Sequence, residues 1–384
     1  MFFGDICWRG KTALLRADFN VPLRDGKVAD TSRIAAALPT IKAITESGGG
    51  VVCLSHLGRP SCAQAGLSLQ PVAEKLALLI NKPVRLITGF DEPKISGGEV
   101  ALMENTRFNK GEQTNDRHLA LRYAAFGDMF VLDAFSAAHR REASLCALAE
   151  VCAPNVCAGL LLNAELQAAK TALKNPRRPV VVIAGGAKIS DKLGALNNLL
   201  PLCDMLLVGG GAANTFLAAG GANTGNSLID KTMLDAAKTL LHQFGDKIVM
   251  MEDAITDDGN GNMEECALNN IGGRAIVDIG INTARKYADI IQNAGTVIWS
   301  GPMGKYENPQ TNHGTKAIAT AAAKSNAYTL AGGGDTISAI NLANVAGKIN
   351  HLSTGGSAFL QMLAGGEMPA LDALNKASEK KGEG

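Results

Sequence analysis

The stretch Pro179 to Leu193 (PVVVIAGGAKISDKL) carries two lysines, Lys188 and Lys192, just beyond a pair of glycines. The apolar run Val180 to Ile183 reads as a buried strand, Gly185 and Gly186 as a turn, and the lysines as the start of a helix that puts both on one face. Paired glycines let a backbone approach a ligand closely, and a helix N-terminus offers free N–H groups and the positive end of its dipole. A lysine at that end costs about 0.3–1 kcal/mol unless something negative lies beside it. A phosphate would remove the cost. Taken alone, the stretch is equally open to a tight strand-to-helix turn with two solvated lysines.

Three further apolar runs end in glycines: VGGG at Gly209 to Gly211, WSGP at Gly301 and AGGGDT at Gly332 to Gly334. Asp335 and Thr336 open the segment after the last of these. An aspartate there reads either as a helix cap or as a magnesium ligand, since that ion takes few carboxylates and completes its shell with phosphate oxygens and water. Glu307, after the GPMGKY turn, reads as an acceptor for ribose hydroxyls or as a surface acid. The chain lacks GxxxxGK[ST] and has no GxGxxG after a strand, so neither the P-loop nor the dinucleotide fingerprint is present.

Earlier in the chain the apolar runs end instead in polar clusters: RADFN with Asp18 and Asn20, SHLGR with His56 and Arg59, ENTRF with Arg107, DAFSAAHR with Arg140. Eleven of the 15 arginines precede Pro154, and the planar guanidinium fork suits a small multi-anionic ligand. Parallel sheets bind ligands beyond the carboxyl ends of their strands. A polyphosphate on one half and a small anion on the other point to phosphoryl transfer, which needs positioning and positive charge more than acid–base groups. A carboxylate acceptor is already ionised at pH 7 and needs no base.

The elements that must hold these residues alternate. Short apolar runs (Ala13 to Ala17, Val51 to Leu54, Pro83 to Ile87, Val100 to Met103, Met129 to Leu132) are separated by segments of helical spacing such as Ile34 to Ile44, Leu69 to Ile80 and Leu119 to Phe126. A second series runs from Val180 through Met205 to Val208, Lys247 to Met251, Ala275 to Val277, Thr296 to Trp299 and Tyr328 to Leu330. Strands alternating with helices imply parallel sheets covered on both faces. We therefore expect an α/β chain with an N-terminal domain at 1–154, one connecting helix at 155–173 and a C-terminal domain at 174–364, followed by a polar tail from Asp372 to Gly384 that is either a surface helix or a frayed end.

At 384 residues the chain has room for two domains. Its net charge of +1 gives no case for nucleic acid or an anionic membrane. The apolar start is broken by Asp5 and followed by Arg9, unlike an export signal, and no apolar run reaches the ~18 residues of a membrane span. A cytoplasmic protein is expected. The eight cysteines show no CxxC and no histidine at zinc spacing, so structural disulfides and zinc are not expected. Balanced charge and the lack of an apolar stripe favour a monomer.

Taken in order and spacing, RADFNVP, SHLGRP, ENTRFNKGE, DAFSAAHR, GGAKISDKL, VGGGAANTFL, WSGPMGKYE, GGGDT and STGGSAFL resemble the phosphoglycerate kinase family over almost the whole chain. The resemblance implies two doubly wound, Rossmann-like parallel-sheet domains joined by a hinge helix, with the tail from about residue 365 packing back on the first domain. It implies reversible transfer between 1,3-bisphosphoglycerate and ADP, giving 3-phosphoglycerate and ATP, with Mg2+ and by domain closure. The acid substrate would lie at Asp18, Phe19, Asn20, Arg33, His56, Leu57, Gly58, Arg59, Arg107 and Arg140. The nucleotide would lie at Gly186, Ala187, Lys192, Gly210, Gly211, Pro302, Glu307, Gly333, Gly334, Asp335 and Thr336, with Asp335 at the metal. Arg33 and Lys192 would hold the moving phosphoryl group, and Lys188 would assist.

Departures from the usual pattern are Ser300 for asparagine, Lys305 for an aliphatic residue, Ser357 for a third glycine, Ser136 for glycine or alanine, and Ala212 to Asn214 for a bulkier run. They bear on nucleotide affinity and choice of purine; every arginine and lysine needed for transfer is kept. Two other readings are a non-catalytic nucleotide-binding protein of the same fold and a dinucleotide-dependent dehydrogenase. The first would have lost transfer residues, and the second lacks its fingerprint.

Overall fold

The computed structural model describes residues 3–91, 95 and 97–380. Met1, Phe2 and the last four residues of the polar tail lie outside them. Contacts divide the chain into two compact units: one runs to Leu166 and takes up the chain again from Glu367, and the other is Gln167–Gly366.

The first unit begins with β1 (Thr12–Arg16), the hairpin β2 (Leu23–Arg24) and β3 (Lys27–Val28), α1 (Ser32–Glu46), β4 (Gly50–Leu54) and α2 (Gln70–Ile80). It continues through β5 (Val84–Ile87), β6 (Val100–Met103), α3 (Arg117–Ala124), β7 (Met129–Leu132), α4 (Leu148–Cys152) and β8 (Val156–Ala158). Six of these strands form one parallel sheet in the order β5-β6-β4-β1-β7-β8. Strands such as GVVCL, VALM and MFVL are buried at every position, as expected where helices cover both faces of a sheet. Ile34, Ala37, Ile41 and Ile44 line one side of α1 and join Leu15, Val51, Leu102 and Val131 in a single core. Each fully buried Leu, Ile or Val contributes about 1.5–3 kcal/mol.

The expected helix over 155–173 is two elements. Val156 and Cys157 extend the sheet edge as β8, pairing with Phe130 and Val131, and α5 (Leu160–Leu173) starts only after Gly159. The break is steric and polar: a Cβ on Gly159 would lie 2.3 Å from Asp133 Oδ1, and that carboxylate accepts from Leu162 N at 2.9 Å to open the helix. The division between the units falls inside α5.

The second unit contains β9 (Val180–Ala184), α6 (Leu193–Leu199), β10 (Met205–Val208), α7 (Gly210–Ala219), α8 (Leu234–Phe244) and the short β11 (Ile248–Val249). After the three-stranded antiparallel sheet β12 (Asp253–Asp257), β13 (Met263–Ala267) and β14 (Ala275–Ile279) come α9 (Ile281–Gln292), β15 (Thr296–Ser300), α10 (His313–Lys324), β16 (Tyr328–Gly332), α11 (Gly334–Leu342), β17 (His351–Ser353) and α12 (Ser357–Leu363). Its main sheet is again parallel, in the order β11-β10-β9-β15-β16-β17. In each unit the first strand sits mid-sheet, so successive connections run to opposite sides and open a crevice at its carboxyl end.

The tail is an ordered amphipathic helix, α13 (Pro369–Glu379), with Ala370, Ala373, Leu374 and Ala377 buried. It belongs to the first unit, where Ala370 N donates to Ala138 O at 3.1 Å. No described helix is long and apolar enough to cross a membrane.

Candidate functional site

In the first unit the polar residues gather where β1, β4, β6 and β7 end. Asp18 follows β1; one of its oxygens accepts Asn20 N at 2.9 Å, and the other takes the Arg33 guanidinium and the Ser136 hydroxyl. Arg33 reaches it from the first turn of α1. Asn20 Oδ1 accepts Gly58 N at 2.9 Å, so Asn20 shapes the loop after β4. Phe19 and Leu57 are buried and contribute by packing, with Leu57 N held by Asn105 Oδ1 at 3.2 Å. Arg59 is exposed.

His56 is 1% exposed and lies between two guanidiniums, Arg16 on Nδ1 at 3.2 Å and Arg140 on Nε2 at 3.1 Å. Burial, and then the charges of Arg16, Arg107, Arg140 and Arg33, push its pKa well below the ordinary histidine value. The ring is therefore neutral at pH 7. A neutral imidazole has only one acceptor nitrogen, so it can satisfy one of the two arginines and leaves the other a donor to spare.

Arg107 donates to Gly58 O at 2.7 Å and to Glu142 Oε1 at 2.8 Å. Glu142 also pairs with Arg16 and Arg140, each at 3.9 Å, and so gathers three guanidiniums. Arg16 Nε donates to Ser144 Oγ at 2.9 Å, and that hydroxyl donates to buried Glu112 at 2.5 Å. Burial is the leading cause that raises the Glu112 pKa. Arg16 and Glu112 were missed although they stand inside RADFN and ENTRFNKGE, and so was Glu142, two residues beyond DAFSAAHR. Their signal was charge inside otherwise apolar or basic runs.

The site in the second unit lies beyond β9, β10, β15 and β16. It comprises two adjoining cavities, of about 290 and 600 Å³, which share Gly186, Ala187 and Asp335. The smaller is lined by Gly210, Gly211, Asn214, Leu228, Ile276, Val277, Pro302, Tyr306 and Glu307 among others, and is largely apolar. The larger holds Lys188, Lys192, Ser300, Gly333, Gly334 and Thr336. All the expected nucleotide residues thus line one cavity or the other. Asn214 falls in the Ala212 to Asn214 departure from the family pattern, whereas Leu228, Ile276, Val277 and Tyr306 were not foreseen, because a largely apolar wall looks like core in a sequence.

Two details of the sequence reading need correction. Helix α6 begins at Leu193, with Lys192 as its cap residue and exposed Lys188 in the preceding loop, so the lysines do not share a helical face. Ile189, next to Lys188, is fully buried. The glycines, too, chiefly admit neighbouring backbone: a Cβ on Gly211 would lie 2.1 Å from Ala187 O. Gly333 differs, with φ +103° as the cap of α11 and only side-chain hydroxyls nearby, Thr336 Oγ1 at 3.3 Å and Ser300 Oγ at 3.9 Å from an added Cβ. Thr336 Oγ1 in turn accepts Gly301 N at 2.7 Å and joins two of the turns.

Lys192 Nζ lies against the Gly186 turn, where an added Cβ would be 3.3 Å away. Burial lowers its pKa, opposed by Asp191 and Asp335. Asp335 is exposed in the first turn of α11, on the rim both cavities share. No cluster of three or more metal-ligating side chains occurs among the described residues. A single carboxylate on the cavity rim would still fit magnesium, which takes few carboxylates and completes its shell with phosphate oxygens and water.

Similarity to known proteins agrees with this geometry. The family model for phosphoglycerate kinase matches residues 3–366. Curated phosphoglycerate kinases of Francisella philomiragia subsp. philomiragia and Legionella pneumophila are 42% and 43% identical, covering 97% and 98% of this chain and 97% of each relative. The solved phosphoglycerate kinase of Coxiella burnetii is 39% identical with a TM-score of 0.92, covering 98% of this chain and 99% of that one. That of Pyrococcus horikoshii OT3 is 32% identical with a TM-score of 0.87, covering 99% and 100%.

Proposed function

The chain belongs to the phosphoglycerate kinase family, and we propose that its two strand-end sites divide the reaction of that family between them. The activity is phosphoryl transfer between 1,3-bisphosphoglycerate and ADP, yielding 3-phosphoglycerate and ATP. Arg33, Arg107 and Arg140 bind the anionic acid substrate around neutral His56, which orients and does not act as a base. The apolar cavity takes the nucleoside, with Glu307 placed for its ribose, and the larger cavity takes the phosphates. Lys192 and Arg33 stabilise the moving phosphoryl group, and Lys188 assists from its loop. Asp335 would hold the Mg2+ that accompanies the nucleotide; when bound, that ion supplies positive charge to the phosphate oxygens. The acceptor is a carboxylate, so the chain's own residues need move no proton.

The observation that carries this assignment is the meeting of the two cavities at Gly186, Ala187 and Asp335, with Lys192 at the phosphate side. It supports a base-plus-polyphosphate ligand laid across the strand ends. The family membership and the retention of Arg33, Lys188, Lys192 and Asp335 argue against a dehydrogenase and against a binding protein that has lost catalysis. We further propose a monomer acting in the cytoplasm on small molecules, with no nucleic-acid or membrane partner; light scattering giving the mass of more than one chain would overturn the monomer.

The test is turnover of ATP and 3-phosphoglycerate, read by coupling the acyl phosphate to reductive consumption of NADH. Magnesium-dependent turnover is expected, and its removal by chelator should be reversed by added magnesium. A folded protein that binds ADP without turnover would instead support a non-catalytic role.

A further inference from the structure

Asn214 stands on α7 in the wall of the apolar cavity and is 2% exposed. Its Nδ2 donates to Leu228 O at 3.2 Å, which fixes which end of the amide is oxygen. The other end, Oδ1, is buried with no hydrogen-bond partner. A buried acceptor left unpaired is costly, so native chains seldom keep one without a use. The surroundings are otherwise suited to a flat ring: Ile276 and Val277 come from β14, and Leu228 is 59% exposed although it lines the cavity. Leu228 lies in a coil tied to β14 by a hydrogen bond from Ile276 N to Ser227 Oγ at 2.8 Å, so the segment that receives the Asn214 amide is a loop.

We propose that Asn214 determines base specificity, its Oδ1 accepting a hydrogen bond from the exocyclic amine of adenine. The inference rests on the nucleotide reading of this cavity and names the group that selects among nucleotides. Adenine presents an N–H donor where guanine presents a carbonyl oxygen. An oxygen facing Oδ1 would leave two acceptors opposed, and a purine lacking the amine would leave Oδ1 unpaired under a desolvating ring. Leu228 and β14 supply sequence-blind stacking area, whereas Asn214 supplies the choice.

Equilibrium binding of ADP and of purine riboside diphosphate, which lacks only the exocyclic amine, provides the test. Wild-type protein should bind ADP tighter by on the order of tenfold, and Asn214→Leu should bring the two within about twofold of each other. If the leucine variant fails to fold, Asn214→Ala removes the amide without adding bulk and should give the same collapse of the ratio. A purely structural role for Asn214 would weaken both ligands alike and keep the preference, which would overturn the proposal. Equal binding of the two diphosphates to wild-type protein would overturn it as well while leaving the nucleotide site intact. A wild-type protein that binds neither diphosphate would overturn the reading of the cavity itself.

Discussion

Lys192 and Arg33 approach the same chemistry from different electrostatic states. Lys192 is partly buried beside the Gly186 turn, so its charge is desolvated in advance and, in the proposed role, would act on a phosphate with little competition from water. Arg33 has a side chain 37% exposed and rests on Asp18 Oδ2, an oxygen it shares with the Ser136 hydroxyl. That second donor shares the carboxylate, which leaves Arg33 easier to draw onto a substrate. We expect Lys192→Ala and Arg33→Ala each to lower kcat by about 10² or more with smaller changes in KM, because the charge lost acts mainly in the transition state. Steady-state kinetics in both directions check this, and near-normal turnover would remove the residue from the mechanism. Lys192 stood out in the sequence beside a glycine turn, whereas Arg33 was singled out only through the family resemblance. Arg16 and Glu142 were not legible: they are buried partners of the arginines that face the ligand, and a sequence does not reveal which of several neighbouring charges turns inward.

At the level of elements, the alternation of strands with helices and the glycine turns follow from apolar runs that stop abruptly, but Ala275 to Val277, expected in the parallel series, belongs to the antiparallel sheet as part of β14. The break in the expected connecting helix has a physical cause. Asp133, just beyond β7, interrupts the segment before α5 through a long-range contact with no periodic signature. Asp278 makes a second such contact. It is 1% exposed at the end of β14, and Oδ2 accepts Gly314 N at 2.8 Å at the start of α10. Burial pushes its pKa up to about 7 from 3.8. The native chain therefore keeps a proton that the unfolded chain releases, so this residue favours folding fully below pH 3.8 and progressively less as pH rises through about 7. The loss amounts to at most roughly 4 kcal/mol. Asp278→Asn keeps an acceptor for Gly314 without the charge. Urea unfolding at about pH 5 and about pH 8 should show the variant gaining on the wild type as pH rises, to an extent of that order. A parallel pH dependence for the two proteins would mean that Asp278 is ionised in the folded state.

For the whole molecule, the division of ligands between two units sets a condition that neither unit meets alone. Direct in-line transfer needs donor and acceptor oxygens within about 3–3.5 Å of a common geometry, with water kept from the acyl phosphate. The acid substrate is assigned to residues before Leu166 and the nucleotide to residues after Gln167, so the requirement falls on the chain that joins them, where the division lies within α5. Each ligand brings charge only to its own site, and the Arg33 and Lys192 cations would repel one another if brought together over an empty centre. A negative phosphoryl group held by both would reverse that sign. Closure should therefore be favoured by the ternary complex and by neither binary complex. Small-angle scattering should show a smaller radius of gyration with ATP-analogue, magnesium and 3-phosphoglycerate together than with either ligand alone. Replacing Lys192 by alanine removes one side of the bridge and should reduce that compaction as well as kcat, linking the movement to the charge rather than to occupancy. Equal compaction in the variant would assign closure to contacts away from the phosphoryl group, and an active enzyme with unchanged scattering would show that transfer proceeds without closure.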